Sequence, residues 1–421
     1  MCSLELNRRI VSVYHIICFL LILTAASGWA LGQEPVRDPA VHQPEVISNL
    51  NVTHNTTPEP GPQWEWEFAL QGGIYANQWG ANGGVREYGS AGGWGYFGQG
   101  GNFSSGLNVD NTGFQLYQFW AGTGRQFEIN DEWHLDVHAD IMYGTNAQFF
   151  QSVNKFDYMM GSEGQYGFAL PQLYAGLGND VFHVKVGKFL TPFGNDHDGF
   201  FFSDSYSPLP DTHMGVMSAW TTPTGFDFIV GWTQGWNEAF DDESNSSLVW
   251  FGVGRSLIED KLELGYTMCT GPMEGFSNGY SHSLLLEWFL TERTTYALEY
   301  QFVDLNDGGD DDLRIWGLIN CLIHHINDKL DVGLRVEYQE QKVIDDVTGL
   351  FETTLGFTWS PFKDSARRSC RSACASRVLR GELAIRPELR YDSWSGASPL
   401  GFNNATQNHQ ISGGLSIDYT F

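Results

Sequence analysis

Residues 131 to 144, DEWHLDVHADIMYG, set His134, Asp136, His138 and Asp140 on every second position, with Trp133, Leu135, Val137, Ala139, Ile141 and Tyr143 between them. In a strand, successive side chains point to opposite faces, so this segment carries one apolar face and one face of two imidazoles and two carboxylates. Neighbours two apart on a strand sit roughly 6 to 7 Å apart, and imidazoles with a carboxylate at that spacing are chemically competent for zinc. A solvated wall needs polar residues at the same positions. With no matched third ligand or supporting shell visible in the sequence, the spacing favours the wall, and no metal or other cofactor is expected. What the apolar face touches decides the reading.

The totals narrow that question. Of 421 residues, 14% are aromatic, 49 are glycine and only 17% are charged, against roughly 25% charged in a typical soluble protein. Few charges and many rings fit a chain with apolar surface that does not meet water. Mean hydropathy is nevertheless -0.25, and beyond the N-terminus no apolar run approaches the roughly 18 residues that a membrane helix requires. A net charge of -27 makes nucleic acid a poor partner on electrostatic grounds. The sequence contains no G-x-S-x-G elbow, no H-E-x-x-H and no phosphate loop, so no enzyme class is indicated. The Gly-rich stretch 84 to 101 is not bracketed by a strand and a helix and reads as an outer loop.

Arg8 and Arg9, the apolar run Ile16 to Ala26, and Ala30 and Gly32 spaced for a signal peptidase mark residues 1 to 32 as a secretion signal. Residues 33 to 63 have almost no apolar periodicity and are expected to be a disordered periplasmic spacer. From Trp64 to the end, segments of roughly ten residues with period-two hydrophobicity alternate with turn residues, the pattern of a transmembrane barrel. Leu330, Val332, Leu334, Val336 and Tyr338, for example, alternate with Asp331, Gly333, Arg335, Glu337 and Gln339. About 16 such segments are countable, an even number within the range of single-chain bacterial barrels. The fold class is therefore all-β, an antiparallel up-and-down transmembrane barrel over residues 64 to 421. Connections sort as such a barrel requires: RQFEINDE, ND, TPTG, SLIEDK, LTER and HHINDK are short, while 77 to 112, 145 to 169, 190 to 212, 235 to 246, 271 to 281 and 394 to 408 are mostly longer. Residues 361 to 381 break the rule by being long on the short-turn side.

On this pattern the polar face of 131 to 144 lines a lumen and its apolar face meets lipid, because an open sheet edge cannot sit in hydrocarbon. Expected lumen-facing residues are His134, Asp136, His138, Asp140, His183, Lys185, Arg314, Arg335, Glu337, Arg386, Glu388 and Arg390. Glu388 and Asp392 are spaced to pair with Arg386 and Arg390 on one face. Pro387, within a strand segment, suggests a bulge. Cys370 and Cys374 read as a structural bridge or idle thiols, and Cys269 and Cys321 as small packing residues.

The segment LPQLYAGLGNDVFHVKVGKFLTPFG, residues 170 to 194, followed by IRPELRYDSW, residues 385 to 394, resembles the putative beta-barrel porin-2 (OmpL-like) family of bacterial outer-membrane proteins. VKVGKFLTPFG is also similar to a strand-and-loop stretch of phosphate-selective porins. The resemblance implies a closed outer-membrane barrel and passive diffusion of small hydrophilic solutes, with no catalytic residues. It also implies that the third long connection folds inward, which would put Asp196, Asp198, Asp204 and Asp211 in a constriction facing the lumen arginines and create a transverse field. Homotrimers are common among porins of this size. The final Phe421, with Tyr419 and Ile417 behind it, looks like the C-terminal strand signature read by the outer-membrane barrel assembly machinery. The function expected is a diffusion channel preferring cations or weakly selective. A plugged barrel that acts as a surface binding or structural protein is the alternative.

Overall fold

The computed structural model describes residues 64–78, 113–130, 132–152, 156–157, 166–194, 200–203, 205–240, 246–259, 261–273, 276–306, 313–343, 346–362, 382–396 and 406–420. The expectations for the signal, the spacer, Asp196, Asp198, Asp204, Cys370, Cys374, residues 363 to 381 and Phe421 lie outside the described residues.

Sixteen strands follow one another: β1 (Glu65–Asn77), β2 (Gly113–Glu128), β3 (His134–Gly144), β4 (Gly167–Gly178), β5 (Phe182–Leu190), β6 (Thr212–Thr221), β7 (Phe226–Thr233), β8 (Leu248–Ile258), β9 (Leu262–Met273), β10 (Phe276–Thr291), β11 (Thr294–Asn306), β12 (Leu313–Asn327), β13 (Leu330–Val343), β14 (Asp346–Trp359), β15 (Glu382–Ser395) and β16 (His409–Thr420). A four-residue helix, α1 (Ala147–Phe150), follows β3. Each strand pairs antiparallel with its sequence neighbours, and β1 pairs with β16 from Ala69↔Thr420 to Asn77↔Ser412, so the sheet closes. Closure gives every strand a partner on both sides and removes the edges that hydrocarbon would not tolerate.

The alternation read from the sequence divides the two faces. On β3, Leu135 and Ile141 are each 40% exposed on the outside, while Asp136 and Asp140 on the inside are 0% and 2% exposed. Leu173, Val216, Val230, Phe251, Leu284, Leu334, Leu355, Leu389 and Ile417 continue the exposed apolar surface round the ring. Among the described residues no helix is long and apolar enough to cross a membrane.

Three expectations are corrected. Residues 271 to 281 are not a long connection: β9 and β10 stay paired to Met273↔Phe276, with an irregularity between Phe276 and Gly279 that carries the hairpin past its expected end. Pro387 does not sit in a bulge. Its pairing Pro387↔Leu415 with β16 is in unbroken register, and the ladder to β14 passes from Gly356↔Glu388 to Trp359↔Ile385 with equal residues on both sides. The missing proline N–H is therefore absorbed by a gap in one ladder. It is Pro171 of β4 that occupies an irregularity, where the register slips between Asp140↔Gln172 and Met142↔Ala169.

The third correction concerns β12. Its inward set is Leu313, Ile315, Gly317, Ile319, Cys321 and Ile323, mostly apolar and buried. Arg314 falls on the outer face, where its exposed side chain pairs with Asp304 of β11 at 2.6 Å. The inside of this part of the barrel is not wet wall but a packed core. Phe193, Leu209 and Trp236, from the connections after β5 and β7, join Trp250, Met217, Ile229, Leu248, Val303 and Ile315 in one apolar cluster.

Candidate pore and its constriction loop

Beside the buried Glu263, Glu287 and Glu299 of β9 to β11, two polar panels of the inner wall hold the residues singled out in the sequence. The first lies on β13 to β16. Arg335 Nε pairs with Glu352 Oε2 at 3.3 Å, Arg390 Nε with Asp392 Oδ1 at 2.7 Å, and Arg386 Nε with Asp418 Oδ2 at 2.6 Å. Glu352 Oε1 also lies 4.0 Å from Arg390 Nε, so one carboxylate serves both guanidinia. The expected pairing of Arg390 with Asp392 is present. Arg386 turns instead to Asp418 of β16, its diagonal neighbour across the ladder, a separation that a long guanidinium side chain reaches, while Glu388 is taken up by the backbone of Phe202 and Ser203.

Arg335 and Arg390 have no solvent exposure. What covers them is the connection between β5 and β6. Its root is closed by Thr191 N–H donating to Asp211 O at 2.9 Å, so Asp211 stands at the base of the loop and not at its tip. Farther along, Arg335 donates to Ser203 O at 2.8 Å and to Ser203 Oγ at 3.3 Å. The backbone N–H groups of Phe202 and Ser203 donate to Glu388 Oε2 at 3.2 and 3.3 Å, and that of Tyr206 to Glu337 Oε1 at 2.7 Å. The Tyr206 hydroxyl donates to Asp392 Oδ1 at 2.8 Å, and Gln339 Nε2 donates to Tyr206 O. Burial, reinforced by the Asp392 charge, pushes the Tyr206 phenol well above its usual range, so it remains a donor.

Counting from β5 to β13 gives eight steps either way round a ring of sixteen. The loop that leaves β5 is thus fastened to the far wall, and it crosses the lumen to get there. Aromatic contacts complete the anchor: Phe202 lies 5.8 Å from Tyr75 and 6.2 Å from Tyr117, the Arg335 guanidinium is 4.9 Å from the Phe201 ring, and that of Arg390 is 4.9 Å from Tyr206. Inward glycines make room for the rings. A Cβ on Gly333 would collide with Phe200, and one on Gly356 would come within 3.0 Å of Phe201.

The second panel lies on β3 to β5 and holds the residues with which the sequence reading began. The structure regroups them. His138 Nε2 meets Asp140 Oδ1 at 2.8 Å, and Asp140 Oδ2 accepts from Gln172 at 2.6 Å. Asp136 faces the other way along the strand, where its Oδ1 meets His183 Nε2 of β5 at 2.8 Å. The His134 and His183 rings stack at 6.2 Å. Lys185 places its ammonium 4.7 Å from the Tyr174 ring.

Sequence reasoning missed Ser203, Tyr206, Glu352, Gln339 and the glycine notches. The FFF run at 200 to 202, beside inward positions occupied by Gly333, Gly356 and Gly414, was the available signal. Lys188 was missed too: it is buried and donates to Phe150 O at 3.0 Å and Ser152 Oγ at 2.9 Å, with Asp157 at 3.3 Å, which pins the connection after β3.

A closed sixteen-stranded antiparallel sheet is the architecture in which comparisons with known proteins place this chain. The family described as putative beta-barrel porin-2, OmpL-like, matches residues 94–421. The chain belongs to that family. No curated protein matches it. Among solved structures, this porin-2 chain is similar to an anion-selective porin from Comamonas acidovorans, with a TM-score of 0.55 at 10% identity over 85% of this chain and 99% of that one. It is also similar to the outer membrane channel DcaP of Acinetobacter baumannii, with a TM-score of 0.53 at 9% identity over 87% and 99% of the two chains. A third is OmpT of Vibrio cholerae in its trimer form, with a TM-score of 0.51 at 10% identity over 85% and 99%. At such identities the likeness is one of fold. The porin-2 chain is a porin-like outer-membrane barrel.

Proposed function

We propose that this porin-2 barrel is a passive diffusion channel for small hydrophilic solutes across the outer membrane, narrowed by residues 191 to 211. The observation that carries the reading is the loop's attachment from β5 to Arg335, Glu337, Glu388 and Asp392 on the opposite wall. A segment held at both ends cannot swing with the solute, so it sets a fixed aperture. The residues assigned to the wall are His134, Asp136, His138, Asp140, His183, Lys185, Arg335, Glu337, Arg386, Glu388 and Arg390. A net charge of -27 supports a preference for cations, since a passage through a low-dielectric barrel focuses the field of its charges. Export by a cleaved signal at residues 1 to 32, insertion by the barrel assembly machinery and association as a homotrimer complete the proposal. Swelling of proteoliposomes in sugars of increasing size tests it: uptake should fall sharply with solute size, and liposomes that swell no faster than protein-free ones refute it.

Burial favours a second reading. Because the arginines of the first panel are sealed by the loop, and an apolar cluster from β4 to β9, β11 and β12 packs against the connections after β5 and β7, the barrel could instead be plugged and serve as a surface binding or structural protein. Such a barrel would bind without swelling.

A further inference from the structure

The second panel holds a group whose chemistry goes beyond lining a wall. His134 and Asp136 of β3 and His183 of β5 bring three potential ligand atoms, two imidazole nitrogens and one carboxylate oxygen, within 4.8 Å of one another. Strands two apart in a sheet are separated by roughly 9 to 10 Å, too far for side chains of this length to meet over an ordinary residue. The strand between them carries Gly176, which pairs with Asp136 on one side and Lys185 on the other. A Cβ there would stand 2.5 Å from both Asp136 carboxylate oxygens and 2.6 Å from His183 Nε2. The missing side chain is the space in which the three groups converge.

The sequence supplied two of the ligands and no third, and the fold supplies it. A second, independent observation points to a cation. Asp136 and His183 have no solvent exposure, yet Asp136 Oδ2 has no hydrogen-bond partner. A buried carboxylate oxygen left unpaired is costly, and a metal ion on the His183 side would satisfy it. Lys185, the adjacent inward residue of β5, lies over the Tyr174 and Phe189 rings at 4.7 and 5.9 Å.

We propose that His134, Asp136 and His183 form a binding site for one late first-row divalent cation, zinc being the probe of choice, on the inner wall at the short-turn end of the barrel. Two nitrogens and one carboxylate suit zinc, cobalt, nickel or copper; calcium and magnesium, which take oxygen ligands, are excluded by the same donors. Ligand atoms now up to 4.8 Å apart close to the roughly 3.3 Å that bonds of 2.0 to 2.1 Å require by side-chain rotation alone. His134, partly exposed at the start of its strand, has the freedom to do so. Water from the lumen takes the fourth position.

Calorimetric titration of the detergent-folded full chain with zinc tests the site without reference to conduction. One zinc per chain is expected, with visible d–d bands of four-coordinate geometry when cobalt replaces it, and no displacement by excess calcium. His134→Ala, Asp136→Asn and His183→Gln should each weaken binding by tenfold or more, and His138→Ala should not. Should His183→Gln fail to show the folded, heat-modifiable band, His134→Ala at the rim decides alone. Absence of stoichiometric zinc binding in the wild type, or undiminished binding by His134→Ala, overturns the proposal. A conducting barrel that binds no zinc would refute the site and leave the channel intact, and a silent barrel that binds zinc would do the reverse.

Discussion

Arg335 sits at the centre of the anchor, between Glu352 on the wall and Ser203 on the loop. Removing one member of a buried ion network strands the others without water or partner, which costs about 3 to 5 kcal/mol. Arg335→Ala should therefore lower the urea midpoint of the barrel in lipid vesicles, and an unchanged midpoint would mean that the network does not bear on stability. Gly333 tests the aromatic half of the same anchor. Gly333→Val places methyl groups where the Phe200 ring lies, so the loop should lift and become cleavable by added protease at residues 200 to 203, where no cleavage of the wild type is expected; equal resistance of the two proteins would contradict the aromatic anchor. How much of this was legible is instructive. The charged residues of β13 and β15 were readable because polar side chains recur at every second position, whereas the groups that cap them, from Phe202, Ser203 and Tyr206, come from a loop with no periodicity at all.

At the level of strands, legibility depended on contrast between the two faces. β3 and β13 alternate polar with apolar, and a single register satisfies both lipid and lumen. In β12 the sequence LRIWGLINCLIHHIN puts apolar residues on both faces, so nothing in it says which side is inside. The inward set packs against loops, a use of the interior that a single sequence does not announce, and Arg314 was accordingly placed on the wrong face. The hairpin of β9 and β10 was cut short for a related reason, since Gly271 and Pro272 read as turn residues although the strands run on past them. Leu355 offers a test of the outer face. It is exposed, with Leu334 and Leu389 as its cross-strand partners, and an arginine in hydrocarbon costs about 2 to 4 kcal/mol at mid-depth. Leu355→Arg should lower the unfolding free energy in vesicles by that amount, while the same change at a loop position should not. Equal stability of the two variants would show that this face does not meet acyl chains.

Across the whole molecule, charge and closure act together. Fifty acidic residues against 23 basic ones give a field that ions sense over a Debye length of about 8 Å at physiological salt and only about 3 Å at 1 M. The reversal potential under a salt gradient should therefore favour cations at low ionic strength and shrink toward zero in molar salt; a preference for anions would reverse the assignment of the field. The measurement that bears most directly on the account is single-channel recording in planar bilayers, with the wild type beside a variant combining Arg335→Ala and Tyr206→Phe. A lumen crossed by a loop fastened to its far wall predicts discrete conductance steps in the wild type and larger, noisier steps once the loop is released. Silent membranes, or identical steps from the two proteins, would contradict it.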